Sequence, residues 1–234
     1  MRNTLSLPEP GKLSYARDLN PQLMLIIRFF VCLFIVLMLR ERHAGTYRVS
    51  SYFLAKSTVE VIFNVPFLIM FSLITYYRIG FREGASHVMI YTVILILADT
   101  AALSLTNAMS VLFVSIEVGT VANAFAFELV RYFGGWYVSP IVQRQYPLWK
   151  FFNFCDYLHY AFMASTINEF KHLPLHCKKK QYNAKGVCPI TDGSVVLAQY
   201  GYDQITLEEA IGYLILIIVI WRFISYLALR FIKF

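Results

Sequence analysis

Long apolar runs, separated by short polar segments, recur along this chain. A helix needs about 20 predominantly apolar residues to cross the hydrocarbon core of a bilayer. The composition agrees, because 58% of the residues are hydrophobic and only 15% are charged, against about 45–50% and about 25% in soluble domains. We therefore predict an all-α membrane protein with about five transmembrane helices. The predicted spans are 23–39, 58–77, 88–114, 118–138 and 211–229.

The predicted organisation is a short tail followed by one membrane domain. Residues 1–22 are polar, and Pro8 and Pro10 oppose a long helix there. This tail has no apolar centre of the kind that a signal peptide needs, so we predict no signal peptide. Residues 23–234 form the membrane domain, and within it 139–209 is a long loop.

A basic stretch, RERHAGTYRVSSYFLAK, fills residues 40–56 between the first two apolar runs. Its charges predict a cytoplasmic position, because cytoplasmic loops carry an excess of Lys and Arg. The N-terminus is then external, and the C-terminus with Arg230 and Lys233 is cytoplasmic. The net charge of +7 lies mainly in loops, so we expect membrane lipids as partners and no nucleic acid. We expect an integral, multi-pass protein of the plasma membrane or an endomembrane.

The 139–209 loop is predicted to be external. It contains an amphipathic stretch, Leu148–Phe170, which we interpret as a re-entrant or interfacial helix with its polar face outward. Cys177 and Cys188 share the polar part of the loop, where an oxidising compartment would pair them in a disulfide.

Four blocks of sequence follow one another in a recognisable order. The first is the basic stretch, and the others are FGGWYV at 133–138, the Asn-Glu-Phe end of 157–170, and Cys177 to Cys188 with Leu197 and Gly201 after it. Together they resemble the C-terminal membrane domain of the G-subfamily ABC half-transporters. That group contains the White-type eye-pigment proteins and the breast cancer resistance protein. The resemblance covers residues 40–234.

The resemblance implies the family's six-helix exporter domain without its first span, together with an amphipathic cytoplasmic coupling helix at 44–54. It also implies a homo- or heterodimer that moves lipids or amphipathic small molecules. ATP and Mg²⁺ would bind to a partner nucleotide-binding domain, since no G-x-x-x-x-G-K-S/T motif occurs in these 234 residues. A second interpretation is a truncated, non-transporting or regulatory fragment that dimerises with full-length relatives. Residues 1–39 depart from the family pattern and leave both interpretations open.

The first candidate site is the basic stretch itself. The resemblance implies that it contacts the nucleotide-binding domain and transmits the closure that ATP drives. The alternative is a solvated loop that faces lipid headgroups. The residues that would supply charge for pairing or room for close approach are Arg40, Glu41, Arg42, Gly45, Tyr47 and Arg48.

The second candidate site lies in the fourth predicted span. Glu128 and Arg131 are three residues apart and therefore share one helical face. Charges inside a membrane are unfavourable and usually face protein or a cavity. The resemblance implies that this face lines a substrate cavity at a dimer interface, with Asn123 and Phe127 nearby. The alternative is an ion pair that only stabilises the helix bundle.

Trp136 and Tyr137 follow two glycines at the end of the same span. The resemblance implies that bulky residues at this place form an outer plug above the cavity. The alternative is an aromatic belt at the membrane interface.

Three further polar residues lie in or near apolar runs. Asp99 has no partner near it in sequence, and we interpret it either as a satisfied structural carboxylate or as part of a proton or substrate pathway. Asp156 and His159 are three residues apart, but no nucleophile or metal-ligand set of recognisable spacing accompanies them. We therefore predict no catalytic, cofactor-binding or metal-binding residue in this chain.

Overall fold

The computed structural model describes residues 49–113, 115–135, 137, 145–171, 173–174, 192–203 and 205–231. Within these ranges the chain is helical, and its only β-structure is an isolated bridge between Pro174 and Asp192. The helices are α1 Val49–Ile79, α2 Ala85–Leu112, α3 Ile116–Phe133, α4 Pro147–Cys155, α5 Tyr157–Phe170, α6 Gly193–Tyr200 and α7 Leu207–Phe231.

The chain divides into two compact units, Met1–Leu54 and Ala55–Phe234. In the first unit the structure describes residues 49–54, which are helical. The predicted coupling helix at 44–54 therefore lies partly outside the described residues. All contacts described below belong to the second unit.

In the part of the chain that the structure describes, three helices are long and apolar enough to cross a membrane, namely Phe53–Ile79 within α1, all of α2, and all of α7. They contain 27, 28 and 25 residues. At 1.5 Å per residue each reaches about 38–42 Å, which exceeds the hydrocarbon core of about 30 Å. They coincide with three predicted spans, 58–77, 88–114 and 211–229, and the all-α membrane class is confirmed. The predicted span 23–39 lies outside the described residues.

Helix α3 occupies the fourth predicted span, 118–138, but ends five residues earlier, at Phe133. Gly135 follows with a φ of 84°, a left-handed value that glycine adopts without strain. The 18 residues of α3 reach about 27 Å. They include three charged residues, and α3 is not among the three helices that are long and apolar enough to cross. Its crossing of the membrane stays a prediction.

Helix α2 is the centre of the second unit, because α7, α5 and α3 all pack against it. Small side chains at these contacts let the helix backbones approach closely, which is how helices associate in lipid. Larger side chains, such as Ile94 of α2 and Leu214 of α7, fill the space between them. The alanines of this core that are fully buried are Ala101, Ala164 and Ala210.

The outer faces of α1 and α7 are apolar and exposed, as with Phe63, Phe67 and Phe223. A soluble monomer rarely exposes a continuous apolar surface larger than a few hundred Å². Lipid tails are as apolar as these side chains, so the exposure is unfavourable only in water. This distribution fits helices that face a bilayer.

The amphipathic stretch 148–170 is broken in two at Asp156, whose extended backbone separates α4 from α5. The expectation that its polar face points outward is wrong for Asp156 and His159, since these residues are only 3% and 7% exposed. The reason is that α5 packs against both α2 and α7. A polar side chain at this position is therefore covered by neighbouring helices.

The end of α5 and the start of α6 meet at the base of the segment 174–192 of the predicted external loop. The backbone N–H of Gly193 donates to the carbonyl of Leu173 at 2.9 Å. Residues 175–191, including Cys177 and Cys188, lie outside the described residues, so their disulfide stays a prediction. The described contacts close the base of this loop independently of any disulfide.

We expect the substitution Gly193→Ala to destabilise the protein. A Cβ atom at 193 would overlap the carbonyl oxygen of Phe170, and overpacking of this kind costs about 1–3 kcal/mol. Gly212→Ala is the matched control, because a Cβ there meets nothing within 4 Å and alanine within a helix is favoured over glycine by about 0.5–1 kcal/mol. Thermal unfolding in detergent should give a lower midpoint for the first variant only. Equal midpoints for Gly193→Ala and the unchanged protein would contradict the described packing.

Candidate functional site

Helix α3 carries the four residues that were predicted to line a substrate cavity, and the structure gives them different surroundings. Glu128 and Arg131 have side chains that are 53% and 54% exposed, and an oxygen of Glu128 lies 3.3 Å from a guanidinium nitrogen of Arg131. Phe127 instead packs against the core of α2, α5 and α7. The Oδ1 atom of Asn123 is buried without a hydrogen-bond partner among the described residues. The exposed ion pair is thus the part of the predicted site that can meet a ligand.

A cavity of about 250 Å³ adjoins this ion pair, between the end of α3 and helix α5. Gly134 allows the two elements to approach, because a Cβ atom at this position would lie only 3.1 Å from a methyl carbon of Leu158. Optimal separations between carbon atoms are about 3.5–4.0 Å. The lining combines one cation with aromatic and aliphatic side chains. Its residues are Arg131, Gly134, Tyr137, Leu158 and Phe162.

Several predicted site residues are not described by the structure. Of the predicted outer plug, Tyr137 is described, and its exposed ring lies 5.5 Å from that of Tyr132. The roles assigned to the others stay predictions. They are Arg40, Glu41, Arg42, Gly45, Tyr47 and Arg48 of the coupling stretch, Trp136 of the plug, and the two loop cysteines.

Sequence reasoning missed a polar contact between α1 and α2. Glu60 lies 3.7 Å from the ammonium group of Lys56, and both side chains are largely buried, at 16% and 9% exposed. The second carboxylate oxygen of Glu60 accepts a hydrogen bond of 2.9 Å from the amide of Asn107. The four-residue spacing of Lys56 and Glu60 at the edge of an apolar run was a readable signal. Asn107, which is 47 residues away in the chain, gave none.

Two further polar contacts join helices inside the same apolar region. The carboxylate of Asp99 lies 3.5 Å from the amide nitrogen of Asn64, so it has a partner on α1. This contact favours the interpretation of Asp99 as a structural carboxylate. The guanidinium of Arg222 on α7 donates to the hydroxyl of Ser104 on α2 at 3.2 Å. Buried hydrogen bonds of this kind hold helices together in a membrane.

The Asn-Glu-Phe block at the end of α5 connects to the turn between α1 and α2. Glu169 accepts a hydrogen bond of 2.6 Å from the backbone N–H of Arg82. Asn168 and His87 are joined by two contacts of 3.1 Å, one between the side chains and one from the Asn168 amide to the His87 carbonyl. Burial raises the pKa of Glu169, and the hydrogen bond from Arg82 opposes the shift. This block therefore clamps the turn onto α5.

Asp156 lies buried at the break between α4 and α5. One of its oxygens accepts from the backbone N–H of Leu158 at 2.8 Å and so caps the N-terminus of α5. The other is buried and has no hydrogen-bond partner in the part of the chain that the structure describes. Burial raises the pKa of Asp156 to about 7, although the bonds from the Leu158 and His159 amides lower it.

Comparison with known proteins identifies sequence relatives. A model of the ABC-2 type transporter family matches residues 21–170. ABC transporter G family member 1 of Dictyostelium discoideum is 27% identical over 200 residues, which cover 84% of this chain and 25% of the relative. ABC transporter G family member 5 of Arabidopsis thaliana is 25% identical over 195 residues, 83% of this chain and 29% of the relative.

A third relative, from Caenorhabditis elegans, is named ABC transporter ATP-binding protein/permease wht-1. It is 28% identical over 134 residues, which cover 57% of this chain and 20% of the relative. The chain therefore spans less than a third of the length of each of these three relatives.

The stability of the protein should fall as the pH rises, in part through Asp156. Between the ordinary value of 3.8 and about 7 this carboxyl holds a proton in the folded state but not in the unfolded state. Its stabilising contribution is therefore complete below 3.8 and is lost as the pH rises through about 7. Asp156→Asn keeps the capping oxygen without a charge, so its unfolding midpoint should depend less on pH between 5 and 8.

Asp203→Asn is the control for this measurement, because Asp203 is exposed. Its unfolding midpoint should follow the pH dependence of the unchanged protein. The same slope in all three proteins would show that Asp156 does not titrate in this range.

Proposed function

Since the chain belongs to the ABC-2 type transporter family, as a membrane domain of the G-subfamily kind, we propose that it forms the membrane-spanning part of an ATP-driven exporter of lipids or other amphipathic small molecules. The single observation that carries this proposal is the family match over residues 21–170. Three described helices that are long and apolar enough to cross a membrane support it. The transporter would act in the plasma membrane or an endomembrane.

The energy would come from ATP hydrolysis on a nucleotide-binding domain that carries ATP and Mg²⁺. The name of the Caenorhabditis elegans relative, ATP-binding protein/permease, joins these two activities in one protein. In this proposal the basic stretch, with Glu41 and Arg42 near its start, contacts that domain. Closure of the nucleotide-binding domain would then push on α1, which begins within the stretch at Val49.

A second half-transporter, identical or related, would cover α3. The exposed apolar side chains Val118, Val121, Phe125 and Tyr132 are spaced by three, four and seven residues. Such spacing places them on one face of the helix. Because Glu128 shares this face, a cavity between two copies of α3 would have apolar walls and a charged pair. Such a cavity suits an amphipathic molecule better than a flat, purely apolar one.

Reversal of two charges in the basic stretch tests the proposed coupling. In proteoliposomes that hold the chain together with its nucleotide-binding domain, Glu41→Lys with Arg42→Glu should lower ATP-driven export of a fluorescent phospholipid by about tenfold or more. The reason is that each reversed charge would face a group of the same sign on the partner domain. Like charges placed opposite each other cost several kcal/mol, and about 1.4 kcal/mol corresponds to a factor of ten.

The control for this experiment is Lys150→Glu, since Lys150 is an exposed cation on α4. It changes charge outside the basic stretch and should leave export and ATPase activity unchanged. The coupling assignment is wrong if the doubly reversed protein and the Lys150→Glu control export lipid and hydrolyse ATP at equal rates.

A further inference from the structure

The cavity between α3 and α5 combines a charged group with apolar walls. Arg131 lines it on one side, and Leu158, Phe162 and Tyr137 supply most of the remaining surface. A guanidinium offers five N–H donors in a fixed plane and matches phosphate or carboxylate oxygens. Apolar and aromatic walls with few polar groups are typical of sites that hold small organic molecules. The cavity is therefore suited to a ligand with an anionic group next to an apolar body.

Glu128 restricts the choice of ligand further. Its carboxylate lies 3.3 Å from the guanidinium of Arg131, and both side chains are about half exposed. A ligand with only a negative charge would be repelled by Glu128, and one with only a positive charge by Arg131. A neutral, apolar ligand would remove water from both charges without replacing its hydrogen bonds. A ligand that carries a positive and a negative charge close together avoids both the repulsion and the loss of hydrogen bonds.

We propose that this ion pair binds the headgroup of a zwitterionic phospholipid, with the phosphate on Arg131 and the ammonium group on Glu128. The volume of about 250 Å³ lies below the about 300–1,000 Å³ of sites for drug-sized molecules, and Arg131 lines the cavity whereas Glu128 does not. The cavity therefore holds the phosphate end of the headgroup, and the ammonium group lies outside it, beside Glu128. The acyl chains would lie between the Glu128 face of α3 and the second half-transporter, along apolar side chains that are exposed in the single chain. These are Val121, Phe125 and Tyr132.

This inference names a substrate class for the exporter and in that respect rests on the proposed function. Binding is nevertheless measurable on the full chain without transport. An inactive exporter that retains zwitterionic lipid would contradict the proposed function and leave the site intact. An active exporter that binds all lipids equally would contradict this inference alone.

The experiment uses the full chain in nanodiscs of equal parts phosphatidylethanolamine, phosphatidylglycerol and diacylglycerol. After release into detergent, native mass spectrometry identifies the lipids that each protein retains. The unchanged protein should retain phosphatidylethanolamine over the other two by about tenfold, the effect of roughly one charge-assisted hydrogen bond. Arg131→Gln should abolish this preference. Glu128→Gln leaves an unpaired guanidinium, so the preference should move to phosphatidylglycerol.

Two controls separate binding from a general effect on folding. Lys150→Gln removes an exposed cation of α4 and should keep the preference of the unchanged protein. Exchange of the two charges, Glu128→Arg with Arg131→Glu, keeps an ion pair and should restore retention of phosphatidylethanolamine. The proposal is overturned if the unchanged protein retains the three lipids equally, or if Glu128→Gln leaves the preference as it was.

Discussion

The close packing of α2 against α7 and α5 is the interaction on which the rest of the structure depends. Lipid tails are as apolar as leucine, so helices in a bilayer gain little from burying apolar surface and associate through packing and hydrogen bonds. Ala101 and Ala210 provide the close approach. Hydrogen bonds from Asn107 to Glu60 and from Arg222 to Ser104 join α1 and α7 to α2. The remaining described helices contact this centre directly or through another helix.

The arrangement of the region around α5 follows from the packing of α5 on that centre. Asp156 breaks the chain before α5 and caps it, and Glu169 fixes its end to the turn at Arg82. With α5 held at both ends, Gly134 brings the end of α3 against Leu158. The cavity beside Arg131 is therefore bounded by α5 on one side and by the C-terminal end of α3 on the other.

The hydropathy of the sequence predicted the long apolar helices. The runs at 88–114 and 211–229 correspond to α2 and α7, since an apolar run of that length has few alternatives to a membrane helix. Helix α3 ends at Phe133, before the predicted end of the fourth span at 138, since the chain takes a left-handed turn at Gly135 that the apolar residues after it do not indicate. The burial of Asp156 and the bond between Arg82 and Glu169, which are 87 residues apart, depend on tertiary packing that no local pattern contains.

The most direct test of this account is the sidedness of α2, on which the orientation of every later element depends. Single cysteines would replace Glu83, before α2, and Glu117, after it, in a chain whose four own cysteines are substituted. In sealed membrane vesicles of one orientation, a membrane-impermeant thiol reagent should label one of the two positions at once and the other only after permeabilisation. Labelling of both positions from the same side would contradict the account, because α2 would then not cross the membrane.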